Sequence, residues 1–415
     1  MKTFVFITQV YPPDPAALGQ HLADVANELA RRGHRVHVFA AARGYDDPGV
    51  AYKSREIANG VEVRRLPLGS FGKTSIPLRV FAGALLLVQA TFRALFVRGV
   101  DAVVVSTSPP IAPLAGVVLA KLKGARLKYW VMDVNPDQMI ALGKLQESSP
   151  LARMFDRMNR LVLKRADDVI VLDELMAELV IGKRDVASKL TVAGPWAAEE
   201  PEELIPHSEN TFRSTHQLDG KVVVMYSGNF GLSHPMTTIL DAARRLGPES
   251  PLLLVLVGGG AGKRTIDPAA HILSLPYQSR EMLAQSLSAA DVHLVTLGDR
   301  MAGIVHPSKV YGAMAVGRPI LLLGPSDNPI AELVTEHQIG WRVSHGDVDE
   351  AERVLREIVA TPSTALLKMG KRARQLMDQR GGREASLARV CDILERGVYS
   401  GSARTEEPET TPGLA

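Results

Sequence analysis

The chain has 415 residues, 46% of them hydrophobic and 22% charged, enough apolar sequence for two α/β-sized domains with proper cores. The single cysteine, Cys391, excludes a disulfide framework and suits a reducing, cytoplasmic compartment. An aromatic content of 5% with no basic–aromatic interleaving argues against a nucleic-acid partner, and the net charge is only +3.

The opening MKTFVFITQVYPP is apolar for a few residues and then turns at Pro12-Pro13, so it reads as a first strand over 3–8 rather than a signal peptide. A helix follows with Leu22, Val25, Ala26 and Leu29 on one face, then a strand over 35–40. The longest apolar window, 80–97, is interrupted by Gln89 and Arg93, which with Arg79 form a polar strip. It is expected as a core or interfacial helix, not a membrane span. Residues 53–128 carry twelve Lys or Arg against Glu56, Glu62 and Asp101. That excess suits an anionic membrane surface or a polyanionic substrate, and equally a solvated basic face.

Further strands are expected at 101–106, 126–132 and 168–172, with helices between, and this alternation predicts a parallel, doubly wound sheet. Residues 1–196 form the first domain; 197–220, acidic and then polar with Pro201 and Pro206, read as a linker. The pattern restarts over 221–382, with strands at 221–227, 252–257, 291–297 and 319–324. Two Rossmann-like halves imply a cleft, with ligands at the carboxyl ends of the strands. A last helical pattern covers 383–396, and the tail 399–415 is expected to be disordered.

Three stretches can carry chemistry. In GIVHPSKVYGAMAVG the loop after strand 291–297 delivers Ser308 to a helix start, and Lys309 adds a full charge. The set suits a diphosphate, although Ser is also a favoured ordinary N-cap. YSGNFGLSHP is a second strand-to-helix loop, where Gly228 and Gly231 allow close backbone approach. Two such loops in one domain point to a nucleotide ligand. In YWVMDVNPDQM, Asp133 ends an apolar strand, with Asn135 and Asp137 beyond; it can orient a sugar hydroxyl, act as a base or merely cap a turn. No His/Cys cluster has metal-ligand spacing, and Asp347-Val348-Asp349 reads as a helix cap.

Taken together, YPPDPAALGQHLADVANELARRGHRVHVFA, STSPPIAPLAGVVLAKLKGARLKYWVMDVNPDQ, KRADDVIVLDELM, MYSGNFGLSHPMTTILDAA, LPYQSREMLAQSLSAADVHLVTL and HPSKVYGAMAVGRPI resemble the family 4 glycosyltransferases of the GT-B fold over residues 3–395. The likeness is greatest to bacterial enzymes of capsular, O-antigen and exopolysaccharide assembly, including fucosyl- and N-acetylfucosaminyl-transferase types. The resemblance implies two Rossmann-like doubly wound domains facing a cleft, and α-retaining transfer of a sugar from a nucleotide diphosphate donor, a UDP- or GDP-sugar. The leading expectation is that the chain extends a polyprenyl-diphosphate-linked oligosaccharide at the inner face of the cytoplasmic membrane, the membrane part resting on the basic, apolar region 53–128.

By position, the resemblance places Gly228, Asn229, Gly231, Ser308 and Lys309 at the diphosphate, and Pro276 and Tyr277 near the base. Gly19, in the first loop, and Asp133 face the reacting sugar and acceptor. Helix 383–396 crosses back onto the first domain. No cofactor or metal is expected, because lysine, hydroxyl and helix termini neutralise the leaving diphosphate. The chain departs from the family pattern where two carboxylates usually stand: here they are Ile304 and Gly312. The usual basic pair of the Gly loop is missing as well, with Asn229 and His234 nearby, so Lys309 is asked to do more, with His306, Lys263 or Arg264 in support. The other readings are an inactive GT-B scaffold in an assembly complex and a nucleotide-sugar 2-epimerase.

Overall fold

The computed structural model describes residues 1–45, 47–68, 76–247, 249–260, 262–263, 266 and 271–398. Lys73, Arg264, the side chain of Arg79 and the tail 399–415 lie outside the described residues.

The first sheet contains β1 (Thr3–Ile7), β2 (Arg35–Ala41), β3 (Arg55–Ala58), β4 (Val61–Leu66), β5 (Ala102–Ser106), β6 (Arg126–Trp130), β7 (Asp168–Val171) and β8 (Leu190–Val192). Their order is β3-β4-β2-β1-β5-β6-β7-β8, parallel except for the β3–β4 hairpin. Every residue of β1, β5 and β7 is buried, as helices on both faces of a parallel sheet require.

The second sheet contains β9 (Val222–Ser227), β10 (Leu252–Val257), β11 (Ile272–Leu275), β12 (Val292–Thr296), β13 (Ile320–Leu323) and β14 (Gly340–Val343), ordered β11-β10-β9-β12-β13-β14. All its pairings are parallel. The strand order reverses at β9–β12, and a ligand crevice belongs at the carboxyl ends of those two strands. The α/β class and the nine expected strands are present; β3, β4, β8, β11 and β14 are additions.

Two expectations need correction. Residues 197–220 are not an open linker throughout. Asn210 caps the helix Thr211–Thr215 by accepting from the Arg213 amide, and Phe212 and Leu218 enter the core behind β9 and β10. Arg213 is buried with them because its guanidinium donates to the carbonyls of Ala289 and Leu218. Nor is the basic excess of 53–128 wholly a surface property. Arg65 is buried, donating to Glu56 and the Pro12 carbonyl, and Lys128 is buried against Asp168.

The helix Ile76–Ala94 buries Ala82, Leu86, Ala90 and Ala94, spaced by four. Its outward face is apolar as well, with Val88 68% and Phe92 62% exposed, and Phe96 beyond its end 71% exposed. Among the described residues no helix is long and apolar enough to cross a membrane. The helix Gly382–Glu395 returns to the first domain, where Val390, Cys391, Ile393 and Leu394 complete the core around β1 and β7.

Candidate functional site

Three loops of the second domain meet at the β9–β12 crevice. Gly228 follows β9 at φ +145°, and a Cβ there would lie 2.5 Å from Lys309 Cε, so the lysine stem lies directly on this glycine. Gly258, at φ +128° after β10, approaches closer still: its Cβ would fall 2.0 Å from the Gly228 carbonyl oxygen. Both loops need glycine because their backbones touch. Tyr226 at the end of β9 donates to the Asn229 carbonyl at 2.6 Å and sets the turn of the Gly loop. Gly231 and the exposed Asn229 side chain follow at its rim.

Lys309 starts the helix Lys309–Ala315. Its ammonium lies 5.1 Å from the centre of the Tyr226 ring, and no carboxylate pairs with it among the described residues. Desolvation pulls its pKa down to about 8. Ser308 precedes it, and its hydroxyl does not cap the helix, so that oxygen is not spent on the fold. The pair is therefore a half-buried cation and a hydroxyl beside a bare glycine backbone, a combination suited to phosphate oxygens.

The supporting residues sort differently from expectation. His234 donates from Nδ1 to the Thr296 carbonyl at 2.7 Å. Burial, and then the nearby Lys309 charge, lower its pKa to about 3, so it is neutral and adds no cation. Lys263 donates to the carbonyls of Gly258 (2.6 Å) and Leu275, tying the β10 loop to the end of β11. Tyr277 follows β11; its ring lies against Gly259 and its hydroxyl reaches the Gly259 carbonyl at 3.4 Å, while Pro276 is exposed. Gly312 faces Leu287 with ordinary spacing, 3.5 Å from a would-be Cβ. A groove of about 310 Å³ lies along the same sheet end, lined by Pro235, Thr237, Asp241, Asp299 and His345.

The first domain contributes Asp133, just past β6. Its amide donates to Thr107 Oγ1 at 3.1 Å, and its carboxyl has no cation beside it among the described residues. Desolvation pushes its pKa up to about 6. Gly19 is in the first turn of the helix Ala17–Arg31, not in the loop as expected. It is buried there, and its Cβ would meet the backbone of Tyr11 at 3.1 Å, so it permits loop-to-helix packing.

The segment after β12 crosses between the domains. Val305 forms an antiparallel bridge with Asp133, and the Val134 amide donates to the Ile304 carbonyl at 2.9 Å. Ile304 and, from the first domain, Ala141 and Leu142 all pack against the cluster of Leu297, Met301 and Val305. His306, expected at the ligand, is instead part of this junction. Its Nδ1 contacts Asp173 Oδ2 at 2.7 Å and its Nε2 the Tyr311 hydroxyl at 3.0 Å, so neither nitrogen is open to a ligand.

Two facing Rossmann-like domains, joined through an interdomain crevice and closed by a returning terminal helix, define the GT-B architecture. Residues 17–196 match the family model described as Glycosyl transferase 4-like domain. The probable glycosyltransferase WbjE of Pseudomonas aeruginosa is 28% identical over 286 residues, covering 68% of this chain and 70% of that protein. The putative colanic acid biosynthesis glycosyl transferase WcaI of Escherichia coli (strain K12) is 26% identical over 343 residues, covering 78% and 83%. Among solved structures, WaaG, a glycosyltransferase involved in lipopolysaccharide biosynthesis, shares the fold with a TM-score of 0.70 at 16% identity, covering 95% of this chain and all (100%) of that one. Anabaena Alr3699/HepE in complex with UDP-glucose does so with a TM-score of 0.66 at 14% identity, covering 95% and 100%.

Proposed function

We propose that the protein is a retaining glycosyltransferase of surface-polysaccharide assembly, moving a hexosyl-type sugar from a UDP- or GDP-sugar to a polyprenyl-diphosphate-linked oligosaccharide. The observation that carries this reading is Lys309, a desolvated cation with no carboxylate partner among the described residues, laid on Gly228 at the crevice of the second domain. The bond between the sugar C1 and the diphosphate oxygen breaks, and the acceptor oxygen bonds to C1 on the same face. The acceptor proton passes to Asp133, whose raised pKa makes it a base matched to neutral pH. Lys309, the Ser308 hydroxyl and the Asn229 and Gly231 amides take up the charge of the departing diphosphate, so no metal is required; the Gly228 and Phe230 amides are held by the carbonyls of Val257 and Gly259. The relatives WbjE, a probable glycosyltransferase, and WcaI, a putative colanic acid biosynthesis glycosyl transferase, support the reaction class and, for WcaI, the polysaccharide setting; the UDP-glucose complex of HepE supports the donor class.

The test is a thermal-shift panel of UDP, GDP, TDP and their sugars on wild type and Lys309→Ala, with and without EDTA. A nucleotide-specific shift that survives EDTA and is lost in the variant is expected. No shift with any nucleotide sinks the reading and favours an inactive scaffold, which the absent carboxylates at Ile304 and Gly312 would suit.

The acceptor part places the enzyme at the inner face of the cytoplasmic membrane. Its support is the outer face of helices Ile76–Ala94, Ala112–Lys123 and Pro150–Arg165, where Val88, Phe92, Phe96, Leu122 and Leu161 are exposed. Arg93, Lys121, Arg153 and Arg157 are exposed on the same helices, and Arg98, like Phe96, just past the end of the first. Apolar side chains amid cations suit an anionic lipid surface. Sedimentation with phosphatidylglycerol vesicles checks this: wild type should pellet, and Phe92→Ser/Phe96→Ser with Arg93→Ala should not. Wild type remaining in the supernatant removes the membrane from the proposal.

A further inference from the structure

The span 303–311 touches the first domain at four successive places before it reaches the second-domain crevice. Gly303, at φ +70°, lies against the start of the helix Glu174–Lys183, where its Cβ would meet the Leu175 carbonyl at 3.0 Å. Ile304 and Val305 then pair their backbones with Val134 and Asp133.

His306 comes next, with its side chain 3% exposed and that of Asp173 9% exposed. Asp173 is already fixed, because its other oxygen caps the helix Glu174–Lys183 by accepting from the Met176 amide at 2.8 Å. Tyr311 stacks on the His306 ring with centroids 5.7 Å apart, and its hydroxyl also approaches Gly194, 3.1 Å from a would-be Cβ. Within the same nine residues stand Ser308 and Lys309, the latter on Gly228.

We propose that this span is a strap that keeps the cleft assembled before any ligand arrives, with His306 as its positioning residue, setting Lys309 of one domain against Asp133 of the other through the Asp173–His306–Tyr311 chain. A buried hydrogen-bonded chain of this kind has one geometry that satisfies all its members, so it fixes the relation between the domains rather than merely attracting them. The Asp133–Val305 bridge acts in the same sense, because the strap pairs with the backbone of the residue whose carboxyl faces the acceptor. Removing the His306 ring frees the Lys309 helix from the first domain while leaving every Lys309 contact within its own domain in place. Nucleotide affinity and turnover should then separate. The catalytic half of this inference rests on the transfer reading above; the mechanical half does not.

The experiment uses spin labels on exposed helices of the two domains, at Arg153→Cys and Lys368→Cys, in the full chain with Cys391→Ser. Pulsed electron resonance should give one narrow distance in the free protein, unchanged by the nucleotide that scores in the thermal panel. His306→Ala should broaden it, and His306→Asn, which keeps a donor for Asp173, should narrow it again. In unlabelled protein, His306→Ala should lower kcat about 10–100-fold while nucleotide Kd stays within about threefold. A broad distribution in free wild type overturns the strap. So does a narrow distance in His306→Ala, and a parallel loss of nucleotide affinity would make His306 a ligand contact instead. Should His306→Ala fail to fold, Asp173→Asn and Tyr311→Phe carry the same two readouts. If no nucleotide binds at all, the transfer reading falls and the free-protein distances still decide the strap.

Discussion

Asp133 and Lys309 are both held away from their ordinary pKa values by burial, in opposite senses: the carboxyl rises to about 6 and the ammonium falls to about 8. Between those values both carry charge, so kcat/KM should rise through about pH 6 and fall above about pH 8, and Asp133→Asn should remove the acid limb. Stability follows with a fixed sign. The folded state holds the Asp133 proton more tightly than the unfolded chain does, so this group's contribution is present at low pH and is lost as pH rises through about 6. Asp133→Asn should therefore melt above wild type at pH 8 and close to it at pH 3, as differential scanning calorimetry can show. An equal or lower melting temperature at pH 8 would remove the desolvation account. Gly228→Ala should displace the Lys309 stem and lose nucleotide binding, read as a vanished thermal shift.

At the scale of elements, the buried Lys128 joins a strand to the returning helix. It donates to Asp168 at 2.6 Å and to the carbonyls of Arg396 (2.6 Å) and Ile393 (3.2 Å). Lys128→Ala leaves a carboxylate and two carbonyls without their donor, which should cost about 3–5 kcal/mol of unfolding free energy in urea titration. A loss under about 1 kcal/mol would mean that water reaches the vacated site.

The same elements show what a sequence exposes. β1 and β5 were readable because every side chain is buried, giving unbroken apolar runs. β4, VEVRRL, was not, because Arg65 looks like a surface residue until Glu56, the Pro12 carbonyl and the Tyr52 ring surround it. β11, ILSL, and β14, GWRV, are mostly half-buried edge strands with a Ser or Arg among their four residues, so they lack the apolar run that marks the equally short, fully buried β7 and β13. In the site, Gly228 and the Ser308-Lys309 pair announced themselves as loops entering helices. His306 did not, since its partner Asp173 is 133 positions away and no local pattern records that contact.

Across the whole molecule, Asp24 links the two domains. Its carboxylate accepts from Trp196 Nε1 at 2.9 Å, from Arg383 at 2.8 Å and from Arg280 at 3.5 Å. Arg280 stands in the second domain and also pairs with Glu199; Arg383 opens the returning helix. Asp24→Ala leaves Trp196 Nε1 and the Arg383 guanidinium without this acceptor while Arg280 keeps Glu199, at a cost of about 3 kcal/mol, and should split a single calorimetric transition into two. One unsplit transition at the wild-type temperature would show that Asp24 does not couple the domains.

The return of helix Gly382–Glu395 has a consequence for synthesis. Ribosomes release the chain from its start, yet Val390, Cys391 and Leu394 are as deeply buried in the first domain as Val5. That domain therefore waits for about 200 further residues, roughly 10–40 s at ordinary elongation rates, with an apolar slot open to water. A chain cut short never fills the slot and stays recognisable to chaperones and proteases. The returning helix thus acts as a seal, and only a chain that includes it can close the first domain.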